Sequence, residues 1–376
     1  MSAVRNALLV VAAASGLVTG RAGGAQGQAF AIARAPYHFR FPRDHAAHPQ
    51  YRSEWWYYTG HLAARDGRRF GYEATFFRIA LRPGDPEPAL GQSRWRGNQL
   101  FAAHLALTDE SSGRFLYAER IAREALGMGA AAADRLRVHV DDWNLSGETL
   151  WPANRERMTV RASAGTFGLE LEQLPEKAPA IHGQGGVSRK GACASCASHY
   201  YSYTRLATTG TLAYGGERLP VAGLSWMDHE FGSDELEPDQ VGWDWFSLQL
   251  GDGREIMLYR LRRRDGGTTP QSSGSLIERN GRVRPLALGD FFIDATGRWV
   301  SPHSGGTYPS GWRVRVPLAN LDLVVTPAVL DQELVFPAQK LAYWEGAVDI
   351  RGSAGTRAVA GEGYVELTGY AGAMTL

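Results

Sequence analysis

Two acids and an imidazole set among tryptophans are the residues of this 376-residue chain best suited to chemistry. Trp226-Met227-Asp228-His229-Glu230-Phe231-Gly232 is followed closely by Gly242-Trp243-Asp244-Trp245-Phe246. Adding water to an isolated carbon–carbon double bond needs an acid to protonate one carbon, a surface that steadies the carbocation, and a base that activates water. A carboxyl whose pKa is raised by burial can supply the proton. Aromatic faces can steady the cation, and histidine can take up a proton near neutrality. Asp228 or Glu230 as the acid, His229 as the base, and Trp226, Trp243 and Trp245 as the wall meet those needs. Asp228 ranks ahead of Glu230.

Other residues extend the candidate set. Glu54 shares a strand face with Trp56 and Tyr58, and makes a second acid for a barrel lumen if it is not a surface acid at a strand start. His104, inside the apolar run Leu100 to Leu107, either lines that lumen or is a satisfied core histidine. Asp244 alternates away from Trp243 and Trp245, toward solvent or a turn. His45 and His48 stand three apart beside Asp44, but an irregular loop at that spacing is weak support for a metal. No metal site and no cofactor is read from the chain. Cys193 and Cys196 form a C-x-x-C followed by Ala197, which rules out haem attachment. A local disulfide or two free thiols is the reading. There is no G-x-S-x-G elbow to supply a covalent nucleophile, and no phosphate loop between a strand and a helix.

These residues need rigid elements to hold them. Aromatics make up 11% of the chain and glycine is plentiful at 45, the balance of an all-β protein with many turns. Glu54 to Leu62, an Asp66-Gly67 turn and Phe70 to Arg78 read as a hairpin. A proline-rich loop from Pro83 to Pro88 follows, then more strand-like runs, including His199 to Tyr203 and Thr208 to Tyr214. If the Trp226 stretch is a strand, Trp226, Asp228 and Glu230 point one way, while Met227, His229 and Phe231 point the other. His229 then joins the acids only through a bulge.

The second half echoes the first. Trp243 to Leu250, a Gly251-Asp252-Gly253 turn and Ile256 to Leu261 mirror the first hairpin. Val221 to Asp228 aligns without a gap on Val359 to Glu366, placing Trp226 on Tyr364 and Asp228 on Glu366. Duplication explains both echoes in the same order. The expected fold is all-β, two tandem antiparallel barrels, over residues 30–234 and 235–376, with an acidic, proline-containing connector from Asp234 to Asp239. The alternative role for the Asp228 cluster is a polar network tying the end of barrel one to the start of barrel two.

Residues 1–29 read as a leader. Arg5 precedes the apolar run Ala7 to Ala14, and small residues follow to a cleavage zone near Ala25 to Ala29. The mature protein is expected to be secreted or periplasmic, with no integral membrane segment once the leader is removed. The 40 Lys+Arg against 39 Asp+Glu imply no basic face, so nucleic acid is not an expected partner.

Phe41-Pro42-Arg43-Asp44-His45, Glu54-Trp55-Trp56-Tyr57, Phe76-Phe77-Arg78, Trp226-Met227-Asp228-His229-Glu230, Gly242-Trp243-Asp244-Trp245 and Gly363-Tyr364-Val365-Glu366-Leu367-Thr368-Gly369-Tyr370 together resemble the AttH-type lipocalin-like family. That family includes carotenoid 1,2-hydratase and proteins labelled predicted secreted hydrolases. The resemblance implies two consecutive lipocalin-like (calycin) barrels and a hydrophobic polyene, terpenoid or phenolic small molecule as partner. It implies hydration or cyclisation as activity, with a non-catalytic carrier as the alternative. It assigns no catalytic residue here.

Overall fold

Runs of alternating large apolar and polar side chains, closed by glycine-bearing turns, make most of this chain strand. The computed structural model describes residues 29–84, 97–150, 155–233 and 236–372. The expected leader through residue 28, most of the Pro83 to Pro88 loop and Asp234-Glu235 of the connector lie outside the described residues. Among the described residues, helix is confined to short turns such as Arg43–His45 and Ala125–Gly127. None is long and apolar enough to cross a membrane.

The first sheet has 13 strands, and every neighbouring pair is antiparallel. Ser53–Ala64 is its opening strand. On one side it pairs Arg69–Ala80, which pairs Gln99–Asp109. On the other it pairs Glu217–Gly232, which pairs Ala197–Tyr214. The far strand Gly129–Ala131 curls back until Gly129 meets Phe101, where an added Cβ would sit 2.8 Å from the ring. The sheet is thereby a nearly closed barrel. Its interior is filled by side chains, Trp56, Tyr58, Tyr72, Trp143, Met158, Tyr201 and Met227 among them.

The second sheet has 10 strands and the same order. Gln240–Leu250 pairs Glu255–Arg263 on one side and the closing strand Arg357–Thr368 on the other, and Arg357–Thr368 pairs Leu341–Ala354. The register reproduces the repeat residue by residue. Asp228 lies opposite Tyr57 in the first sheet, and Glu366 lies opposite Trp245 in the second. Phe246, Leu258, Trp312, Leu323 and Trp344 fill the second core.

The two sheets stack through the outer faces of their opening and closing strands. Tyr57, Tyr200 and Trp226 from the first pack with Trp245, Met257, Tyr259, Ala347 and Tyr364 from the second. They come close at Gly71, whose added Cβ would lie 2.5 Å from the Ala347 Cβ. Only glycine fits there.

Candidate active site between the two sheets

The strand Glu217–Gly232 runs against Ser53–Ala64 with no break in register, so strict alternation decides where its side chains go. Met227 enters the barrel core and His229 stacks on Trp56 at 4.8 Å. Trp226, Asp228 and Glu230 therefore face away from the lumen. These side chains line the seam between the two sheets, where Trp226 packs with Trp245 and Tyr364 of the second sheet.

Four carboxyls meet in that seam. Asp228 accepts hydrogen bonds from Trp226 Nε1 at 2.6 Å, Tyr200 Oη at 2.7 Å and the Ser202 hydroxyl. Burial outweighs these donors and pushes its pKa up to about 7. Its repeat counterpart Glu366 accepts from Trp243 Nε1 at 2.7 Å. Burial raises it to about 7 against that bond, with Asp228 and Glu230 adding to the rise. Glu345 accepts from Tyr57 Oη at 2.7 Å and is held well above the usual range by burial, then by Glu366 and Glu73. Glu73 is raised to about 8 by burial, although the Thr75 hydroxyl donates to its Oε1. Near neutral pH the seam thus holds carboxyls that still carry protons. The walls are aromatic: Tyr57 meets Trp245 edge-on at 5.1 Å, and Trp226 meets Trp245 at 6.2 Å. Trp245 Nε1 donates to Tyr200 Oη at 3.1 Å.

Glu230, at the edge of the seam, accepts from the Ser198 hydroxyl and pairs with Lys190 Nζ at 2.9 Å. Glu73, Glu345 and Tyr200 were not singled out from sequence. A lone acid inside an aromatic strand, as in Tyr343-Trp344-Glu345 and Tyr72-Glu73-Ala74, is the signal that could have found the two glutamates.

Glu54 and His229 form a separate network at one end of the first barrel. Glu54 Oε1 accepts from His48 Nδ1 and His229 Nε2, each at 2.8 Å, and Oε2 accepts from Arg78 Nε at 2.8 Å. Burial opposes ionisation, but Arg78 and the two histidines hold this carboxyl well below the usual range. Glu54 is a fixed carboxylate and no proton donor. Ligand atoms of His48, Glu54 and His229 lie within 4.8 Å of one another, close enough for a metal. A cation there would sit against the buried Arg78 guanidinium and displace protons already shared with Glu54. The residues present complete an anion site without one. Trp56 and Tyr58 belong to the barrel core beside it, bonded to His45 O and Met158 Sδ. A surface cleft of about 410 Å³ opens at a barrel mouth, lined by Phe41, Arg155, Lys177 and Tyr203 among others.

Two further candidates face neither the lumen nor solvent. His104 leaves the lumen for the second sheet: it pairs in register with the outward Thr75, bonds Tyr343 Oη at 2.6 Å and stacks on Phe336 at 4.5 Å. Asp244 is buried, not exposed, because Arg260 and Arg262 reach it at 2.7 and 2.9 Å. Cys193 and Cys196 are joined as a disulfide.

Residues 32–370 match the family described as AttH-like. The chain belongs to the AttH-like family. No curated protein matches it. Among solved structures, an AttH protein from Nitrosomonas europaea superposes on this AttH-like chain with a TM-score of 0.80 at 33% identity, covering 91% of this chain and 99% of that one. Kievitone hydratase from Nectria haematococca superposes with a TM-score of 0.67 at 14% identity, covering 91% and 96%. The second likeness shows a shared fold.

Proposed function

We propose that this AttH-like protein is an exported enzyme that protonates an apolar, unsaturated small molecule held between its two sheets, leading to hydration or cyclisation. The observation that carries the reading is the set of buried carboxyls, contributed by both sheets and held protonated near neutrality among tryptophans and tyrosines. Asp228 delivers its proton to one carbon of the double bond. Trp226, Trp245 and Tyr57 face the resulting cation. Water adds to the other carbon, and its surplus proton returns to the carboxylate left on Asp228, which three donors already hold in place. The balance is one water gained, with no redox step. Ring closure onto the cation, with loss of a proton to the same carboxylate, gives the cyclised product. The hydratase named among the structural neighbours supports this chemistry. The leader pattern and the disulfide support an oxidising, exported location.

The test incubates the purified protein with the hydrophobic extract of its native host and follows masses. Gain of one water on a compound, lost in Asp228→Asn, is the expected result. A compound bound and recovered unchanged by both proteins would mark a carrier and reject the enzyme.

A further inference from the structure

Three polar atoms in the seam have no hydrogen-bond partner: Thr59 Oγ1, Glu73 Oε2 and Tyr364 Oη. All three residues are about 1% exposed. Register brings them together. Thr59 lies directly across from Glu73 on one side and Trp226 on the other. Two ties to the second sheet bracket it on its own strand face, Tyr57 Oη to Glu345 and His61 Nε2 to Gly363 O at 2.8 Å. Gly71, two residues before Glu73 on the same face, lets the Tyr364 hydroxyl come close; an added Cβ would be 3.0 Å from it. Burial raises the Tyr364 pKa and the nearby Thr108 hydroxyl opposes that rise, but this hydroxyl donates to Gln332 Oε1 at 2.7 Å and makes no bond of hydrogen-bonding geometry with Tyr364 Oη. Buried polar groups are nearly always satisfied, and each left unpaired is costly. Three orphans converging beside a catalytic cluster are therefore groups kept for something that binds there.

We infer that Thr59, Glu73 and Tyr364 form a polar subsite that receives a hydroxyl or carbonyl oxygen of the substrate, so that the substrate is an oxygenated molecule and not a pure hydrocarbon. This rests on the proposed seam site. Glu73 Oε1 already accepts from Thr75, which leaves Oε2 to hold the proton and donate it to the ligand oxygen. Thr59 and Tyr364 can each donate or accept, so a hydroxyl finds both kinds of partner. A hydrocarbon would leave all three unpaired. Sites built to bond a hydroxyl reject the analogue lacking it far more strongly than apolar pockets reject an extra methylene.

The test uses the full chain and two probes of matched shape, trans-stilbene and 4-hydroxystilbene, with affinities read from probe fluorescence. The hydroxylated probe is expected to bind on the order of tenfold more tightly. The double substitution Thr59→Val with Tyr364→Phe should cut that preference to the part Glu73 alone supports, about threefold or less, while stilbene affinity stays within about twofold, which also shows that the variant is folded. Equal affinities in the native protein, or a preference left undiminished by the double substitution, would overturn the subsite alone. Binding of neither probe would overturn the seam as a ligand site, and the subsite with it.

Discussion

Asp228 carries its proton because its surroundings are apolar, and its hydrogen bonds limit how far the pKa climbs. Asn at this position keeps an oxygen to accept from Trp226 Nε1, turns an amide N–H toward Tyr200 Oη where the carboxyl had an acceptor, and has no acidic proton to give. Asp228→Asn is expected to lower turnover by about 10²- to 10⁴-fold, the usual worth of a positioned acid, with little change in melting temperature. Activity should also fall as pH rises through about 7, where this carboxyl ionises, as a pH–rate profile would show. At this scale the sequence was informative about Asp228 and Trp226, since alternation alone sets their direction. It was silent about Glu73 and Glu345, because what makes them chemically unusual is the opposite sheet, which no local pattern reveals.

Strand geometry fixes what each element can present. Ala197–Tyr214 reads in sequence as two strands, and is one, with its register shifted between Tyr203 and Leu206. The bulge resets the alternation. Tyr201 and Tyr203 point inward before it and Leu206 and Leu212 after it, which leaves Tyr200 and Ser202 free to reach Asp228. Gly71 is the complementary device on the hairpin. Gly71→Ala would drive a methyl into Ala347 and is expected to cost about 1–3 kcal/mol in urea denaturation, the range for overpacked cores. The buried pair of Glu54 and Arg78 behaves differently. Arg78→Met strands an ionised carboxylate inside the barrel and should cost about 3–5 kcal/mol, while probe affinity in the seam stays unchanged. Hairpins and closing strands were legible from aromatic runs and turn residues. Barrel curvature was not, since it depends on which distant strands meet.

For the whole molecule, the seam makes stability depend on pH. Glu73 is raised from 4.5 to about 8, so over that interval the folded state keeps a proton that the unfolded chain has lost. Stability from this group is complete below 4.5 and declines as pH rises toward 8. Asp228 and Glu366 act the same way up to about 7. Buried His45 and His182, lowered from 6.5 to about 3, work in the opposite sense below 6.5. His48 and His61, raised above 6.5, add to the alkaline loss. The melting temperature is therefore expected to fall between pH 6.5 and 8, and Glu73→Gln should make that slope shallower. An unchanged slope would show that Glu73 is already ionised.

Equivalent strands of the two halves meet face to face across the seam. Tyr57 and Trp245, which hold the same register position opposite Asp228 and Glu366, pack against each other. A patch that contacts its own counterpart is the mark of a twofold, self-complementary interface. A half-length ancestor with this face would have assembled as a homodimer, and its seam would have existed only above a threshold concentration. Joining two copies in one chain makes the encounter intramolecular. The acids of the seam then face each other at any dilution.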